Sequence, residues 1–273
     1  MEKGDSFYKI KNELKKSNIE FPSIINLFFL INKFDQSLRI GEYEISPGDS
    51  IFSITFKLIK GNIFYHSFHI PEGSVVKDFL NESELKAFCK FKGLDNCNLE
   101  GFFHPNTYLY EKNDDLNILL NKAFNKQIEI ASSNLNIANK ELPIKNIKQL
   151  LILASILEKE SCDEERPKIS GVIYNRLNKN MRLQIDSTVI YGIKNFNGNL
   201  TKKDLKKNTP FNTYTNHGLP PSPISLPSLS SIISAAHPAK HDYLFFVSKG
   251  PCQHEFSESY DQHLEAVKKY QLN

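Results

Sequence analysis

From Leu150 to Leu157 the chain reads LLILASIL, apolar at nearly every position, and the run stops at Glu158-Lys-Glu160. A helix that is apolar all round belongs in a core. The pattern therefore predicts a buried helix over 145–160 that carries two carboxylates to its end. Leu116–Lys140 has apolar residues at 116, 119, 120, 123, 124, 128, 131 and 135, close to helical spacing, and predicts a long helix with one face on the core. Glu164–Leu177 predicts a further helix holding Arg166 and Arg176. Residues 202–207 follow a Thr201 cap, Leu229–Ala236 is an apolar helix, and Ser257–Tyr270 is a terminal one. Tyr243–Ser248 reads as a buried strand.

Nearer the N-terminus the texture changes. Phe7–Ser17 and Ser23–Lys33 are helix candidates, the second built on the apolar run Ile24–Ile31. Ile40–Ile45 reads as a strand. Pro47–Ser50 is a turn ending in a helix cap, Ile51–Leu58 a short helix closed by Gly61, and Phe64–Ile70 a second strand. Ser74–Leu80 and Ser83–Lys90 are short capped helices. Glu100–Tyr110 is a strand interrupted by a turn. Strands are few and scattered among helices, so the fold class predicted is α+β.

Composition adds limits. At 273 residues, 40% hydrophobic and with a net charge of +3, the chain is an ordinary globular one with a sizeable core. The densest basic run, Lys202, Lys203, Lys206 and Lys207, reads as a solvated helix face, so nucleic acid is not an expected partner. Ile24–Ile31 is too short to span a bilayer, and no signal peptide is visible. The alternatives are a soluble protein or one whose N-terminal anchor lies outside this sequence. Cys89 and Cys97 lie eight apart and could pair or stay free thiols, whereas Cys162 and Cys252 read as solitary. No CxxC, histidine cluster or glycine-rich phosphate loop is present, so neither a metal nor another cofactor is expected.

Candidate chemistry centres on the helix end. Glu158 and Glu160 project about 200° apart on a helix and cannot share one face. An apolar wall raises a carboxyl pKa, and so does the negative end of a helix. From residue types alone the pair fits an acid catalyst or two carboxylates facing water. Arg182, Gln184 and Asp186 alternate along Met181–Asp186, so an extended segment would set them on one side. They suit either a polyhydroxylated, amide-bearing ligand or a solvated edge. Asn212, Tyr214 and the proline-rich loop 218–224 carry the same ambiguity.

These residues, in this order, resemble the endolytic murein transglycosylase (YceG-like) family. The resemblance rests on Leu153-Ala-Ser-Ile-Leu-Glu-Lys-Glu160, Asn175-Arg-Leu177, Met181-Arg-Leu-Gln184 with Asp186, and Val189-Ile-Tyr-Gly192. Further matches are Asn212-Thr-Tyr214, Gly218-Leu-Pro-Pro221, Pro238-Ala-Lys240, Asp242–Val247 and His254-Glu-Phe-Ser257, preceded by Glu100-Gly-Phe-Phe-His-Pro-Asn-Thr-Tyr108. It runs from about residue 38 to the end. Residues 1–37 match poorly, and the family's usual N-terminal transmembrane helix is missing. Ser187 and Ser222 stand where the family usually has Pro and Gly.

Residues 1–37 stand apart as an N-terminal helical segment by their own pattern, and the resemblance implies a LysM-like subdomain at 38–73 and a catalytic domain at 74–273. It implies cleavage inside peptidoglycan glycan strands between N-acetylmuramic acid and N-acetylglucosamine. The products are 1,6-anhydromuramyl ends, and glycan elongation terminates. It makes Glu160 the catalytic acid, with Glu158 second, and makes Gln184, Asp186, Asn212, Tyr214, Arg182 and Arg176 substrate-binding residues. The expected groove has the 182–186 segment as one wall and the proline-rich loop as the other. Partners would be glycan strands and candidate peptidoglycan synthases, at the outer face of the bacterial inner membrane. Two other classes stay open: a hydrolytic muramidase with Asp186 activating water, and a non-catalytic peptidoglycan-binding scaffold.

Overall fold

The computed structural model describes residues 12, 15, 16, 39 and 41–272. The helices expected at 7–17 and 23–33 lie outside the described residues, apart from single positions of the first. The described elements are α1 (Ile51–Lys60), β1 (His66–Ile70), α2 (Glu82–Lys92), β2 (Asn106–Tyr110), α3 (Leu116–Ile137), α4 (Ile147–Glu160) and α5 (Arg166–Asn178). They continue with α6 (Asp186–Tyr191), α7 (Lys202–Lys206), α8 (Leu229–Ala236), β3 (Phe245–Gly250), β4 (Gln253–Ser257) and α9 (Tyr260–Gln271). Helices with two small two-stranded sheets, β1–β2 and β3–β4, make the fold α+β.

The chain separates into two compact units, residues 1–68 with 108–115, and 69–107 with 116–273. In the smaller unit, Ser50 caps α1 by accepting from the Ser53 N–H, and Gly61 ends it at φ 64°. Asp49 accepts from Lys57, Ser46 and Ser53, and Lys57 beside it holds its carboxyl down to about 2. The strand expected at 40–45 is absent from its described part, residues 41–45. Gly41 departs from strand geometry at φ 147°, and Pro47 follows close behind. A backbone bond from the Phe64 N–H to the Glu42 carbonyl joins this segment to the run before β1.

The larger unit is built around α4. Every residue from Leu150 to Leu157 is buried, and α3, α5, α6 and α8 pack on it. Burying one leucine or isoleucine contributes about 1.5–3 kcal/mol, so this octet dominates the core. A second cluster is aromatic: Phe88, Phe103 and Phe124 form a mutual triangle, with Phe79 edge-on to Phe103. The expected 74–80 helix is only a three-residue 3-10 turn at Val76–Asp78. The helix placed at 83–90 runs from 82 to 92, because Asn81 and Glu84 form the capping box rather than Ser83.

α5 explains why Asn175 and Arg176 stand together. Asn175 donates to the carbonyls of His241 and Tyr243, and Arg176 donates to Leu244, Arg182 and Leu183. The two side chains draw β3 and the 181–185 segment onto one helix. Gly171, one turn earlier, has no room for a Cβ, which would lie 2.5 Å from the Ala239 carbonyl oxygen. β3 pairs antiparallel with β4, whose strand the sequence pattern missed. Of β3, only Val247 is buried, so the reading of a buried strand is corrected to a half-covered hairpin packed on α9.

All four cysteines are paired. Cys89–Cys97 joins α2 to the loop after it, and Cys162–Cys252 joins the end of α4 to the β3–β4 turn across 90 residues. Cys162 and Cys252 are therefore not solitary; folding brings together what the sequence holds far apart.

Candidate active site

Glu160 closes α4 and lines a cavity of about 470 Å³. One wall is Leu183–Asp186 with Tyr214. The other is Phe245–Ser248 of β3, His254 of β4, and Tyr260, His263 and Val267 of α9. Arg176 lies in the lining as well. Burial pushes the Glu160 carboxyl above its usual range, and the neighbouring Asp186 carboxylate adds to the rise. The Ser187 hydroxyl and N–H pull the other way, as does His254. A carboxyl that tends to keep its proton at the side of a cavity is suited to donate it.

Glu158 has a different environment. Its oxygens accept from Arg166 Nη2 at 3.0 Å, the Ser228 N–H at 2.9 Å, Ser228 Oγ at 2.6 Å and Ser231 Oγ at 2.7 Å. Ser228 caps α8. The carboxylate thus sits at a helix N-terminus, where an anion is favoured. It is a structural lock, and it does not line the Glu160 cavity.

The remaining candidates divide. Asp186, Gln184 and Tyr214 line the cavity. Asp186 accepts from the Tyr214 hydroxyl at 2.5 Å; burial first, then this carboxylate, raises the phenol's pKa. Gln184 takes a left-handed backbone, φ 52°, while Leu183 and Ile185 point into the core. Met181–Ile185 is therefore irregular, and Asp186 opens α6, a helix the sequence did not suggest. Arg176 reaches the cavity, but its guanidinium is spent on three backbone carbonyls, and it reaches Gln184 Oε1 only at 3.4 Å. Arg182 is exposed and outside the lining.

Asn212 is fully buried. Its amide donates to the carbonyls of Asp204, Leu205 and Lys207, and its oxygen accepts from the Tyr214 N–H. It fixes the turn that presents Tyr214 and has no group left for a ligand. The proline-rich loop forms no wall of the cavity. Residues 222–228 are buried. Ile224 donates to Ser155 Oγ, Ser225 donates to the Ser155 carbonyl, and Pro223 packs on Gly101. The expected second wall is replaced by the β3–β4 hairpin and α9.

His254 is the residue that spacing did not reveal. It lies 94 positions after Glu160 in the chain, yet lines the same cavity. Glu165 Oε2 holds its Nδ1 at 2.7 Å, and Phe246 meets its ring edge-on. Among the described residues no cluster of His, Cys, Asp and Glu side chains is arranged to hold a metal ion, and no helix is long and apolar enough to cross a membrane.

The model of the YceG-like family matches residues 1–269, so the match extends through the first 37 residues as well. A Bacillus subtilis protein named endolytic murein transglycosylase is 37% identical over 177 residues, 63% of this chain and 48% of that protein. One of the same name from Streptococcus pneumoniae is 33% identical over 158 residues, 55% of this chain and 28% of that protein. The chain thus spans about half or less of the length of these curated relatives. A crystal structure of a YceG-like protein from Listeria monocytogenes aligns with a TM-score of 0.63 at 28% identity, covering 96% of this chain and 95% of that one.

Proposed function

Because the chain belongs to the YceG-like family, we propose that it is an endolytic peptidoglycan transglycosylase with Glu160 as its catalytic acid and base. The Glu160 carboxyl gives its proton to the glycosidic oxygen between N-acetylmuramic acid and N-acetylglucosamine, and the C1–O bond breaks. The muramyl C6 oxygen bonds to C1, and its proton passes to the Glu160 carboxylate. The acid is regenerated, no water is consumed, and a 1,6-anhydro end forms. Gln184 and Tyr214 face the sugar, and Asp186 orients the Tyr214 hydroxyl. Cleavage of this kind ends glycan elongation outside the cytoplasmic membrane, where the substrate lies. The smaller unit then serves as a LysM-like glycan contact, with peptidoglycan synthases as candidate partners.

The observation that supports this most is the division of labour on α4. Glu160, with its raised proton affinity, has a cavity beside it, while Glu158 is consumed by Arg166 and α8. One carboxyl is enough for this reaction, because the substrate supplies its own nucleophile; the paired carboxylates of most glycosidases are not needed. A second reading, hydrolysis, draws on Asp186 in the same cavity, where it would activate water. Digestion of purified sacculi, with the new ends identified by mass, tests both. Anhydro ends support transglycosylation, reducing ends one water heavier support hydrolysis, and no new ends remove the enzymatic reading.

A further inference from the structure

A second and larger cavity, about 900 Å³, adjoins the Glu160 site. Two pairs of consecutive residues tie the two spaces together. Lys159 and Ser187 line the larger one, and Glu160 and Asp186 line the smaller. The Ser187 N–H and hydroxyl act on the Glu160 carboxyl itself, and Ser187 lines the larger cavity, so a ligand held at Glu160 has an immediate neighbour space. Nothing in the proposed reaction uses it.

The lining says what fits. Aliphatic side chains dominate, Leu80, Leu85, Ile190 and Ile193 among them, with Lys77 and Lys159 as cations. Two carboxylates also line it, and both are engaged. Glu82 pairs with Lys86, and Glu100 accepts from the Val76 N–H at 3.1 Å and the Tyr191 hydroxyl at 3.2 Å. Tyr191 stands edge-on to Phe211 at 4.8 Å, with its hydroxyl committed, so its ring is a poor platform for a sugar. Small apolar contacts beside cations suit a short acidic peptide rich in methyl groups. A space of this size is within the range of small-ligand sites.

We propose that this cavity binds the peptide carried by the muramic acid residue at the cleavage point. The inference rests on the reading of Glu160 as the acid that cuts glycan. The peptide leaves muramic acid through a lactyl ether on C3, two carbons from the C1 that reacts. A muramyl ring placed with C1 at Glu160 therefore directs its peptide into adjoining space. Alanine methyls meet Leu85 and Ile193, and free carboxylates meet Lys77 and Lys159. Peptide binding then positions C1, so the enzyme distinguishes substituted from bare strands.

The test compares glycan strands bearing intact peptides with the same strands stripped by an amidase, using the full chain. The wild type should cut peptide-bearing strands better through a lower KM, by roughly tenfold, the scale of burying one or two methyl groups. Lys77→Glu and Ile193→Asp should each erase that preference and leave the rate on stripped strands unchanged. Lys77 is exposed, so its variant folds even if the change at Ile193 does not. Equal wild-type rates on both substrates overturn the peptide site and leave the Glu160 reading standing. Variants that slow both substrates equally overturn it in favour of a site for further sugars. No cleavage of either substrate removes the Glu160 reading, and this inference with it.

Discussion

Glu158 and Glu160 stand two residues apart on α4, and the turn of the helix gives them opposite surroundings. Glu158 meets one guanidinium, two hydroxyls and a backbone N–H. Glu160 meets the cavity, a neighbouring carboxylate and a desolvating wall.

Glu160→Gln should abolish cleavage and leave the fold unchanged. The amide is nearly isosteric but has no proton to give, and loss of a general acid alone costs about 10²- to 10⁴-fold. One group serving as acid and base should reach the upper end. The measurement is the cleavage rate alongside the thermal midpoint. Near-normal turnover would assign the acid elsewhere.

Glu158→Ala should act on stability instead. It removes the buried one of the two carboxylates that pair with Arg166, whose side chain is 7% exposed and which keeps only Asp163 at the surface, and it leaves the first turn of α8 without its anion. Breaking a buried ion pair from one side costs about 3–5 kcal/mol when the charge is left alone; with Asp163 still on Arg166 the loss should lie at or below the lower end of that range. Chemical denaturation reads this directly. A variant as stable as the wild type would show that the lock carries no weight.

Stability should fall as pH rises from about 4.5. Burial raises the carboxyls of both Glu160 and Glu100, Glu100 to about 7. Between 4.5 and the raised value the folded state binds more protons than the unfolded state, so the slope of stability against pH is negative. The contribution of Glu100 is fully present below pH 4.5 and lost as pH passes 7. Glu100→Gln should flatten the decline in unfolding midpoint between pH 5 and about 7. Parallel curves for variant and wild type would refute the assignment. Cleavage should also fade on the alkaline side, as Glu160 loses its proton.

Replacing Cys162 and Cys252 together by serine should cost about 2–4 kcal/mol, typical for a bridge across a long loop. Cleavage should fall as well, because the bridge ties the end of α4 to the hairpin that carries His254. Unaltered activity with lowered stability would separate the bridge from the site.

Arg176→Lys should lower stability by about 2 kcal/mol or more, since an ammonium cannot serve three carbonyls that a planar fork reaches together. KM should change little, because the guanidinium is turned to the backbone. A large KM change at constant stability would return Arg176 to the ligand.

Local patterns were legible where one helix carried its own evidence. LLILASIL placed α4 in the core, and the caps Ser50, Thr201 and Gly61 marked their helices. Leu229–Ala236 was readable to its ends. Asp186–Tyr191 was not, since six residues carry too little periodicity to separate a helix from a strand. Asn212 looked like a ligand residue because an amide's partners cannot be read from its neighbours. Here they are carbonyls at the C-terminal end of α7, five to eight residues earlier. The proline-rich loop looked like a wall because rigidity is visible in sequence and direction is not. His254 and the Cys162–Cys252 bridge depend on contacts across some 90 residues, which spacing does not encode.

The far wall of the Glu160 cavity is drawn from residues 245–271, whereas the fully buried members of the core cluster beneath Glu160 all lie at or before Ala236, with Phe246 and Phe256 packed on them afterwards. During synthesis the acid can be seated before the groove around it exists. A nascent chain halted before Phe245 would carry Glu160 without the hairpin or α9. The geometry around Glu160 is thus set by residues that come later in the chain than the core that holds it.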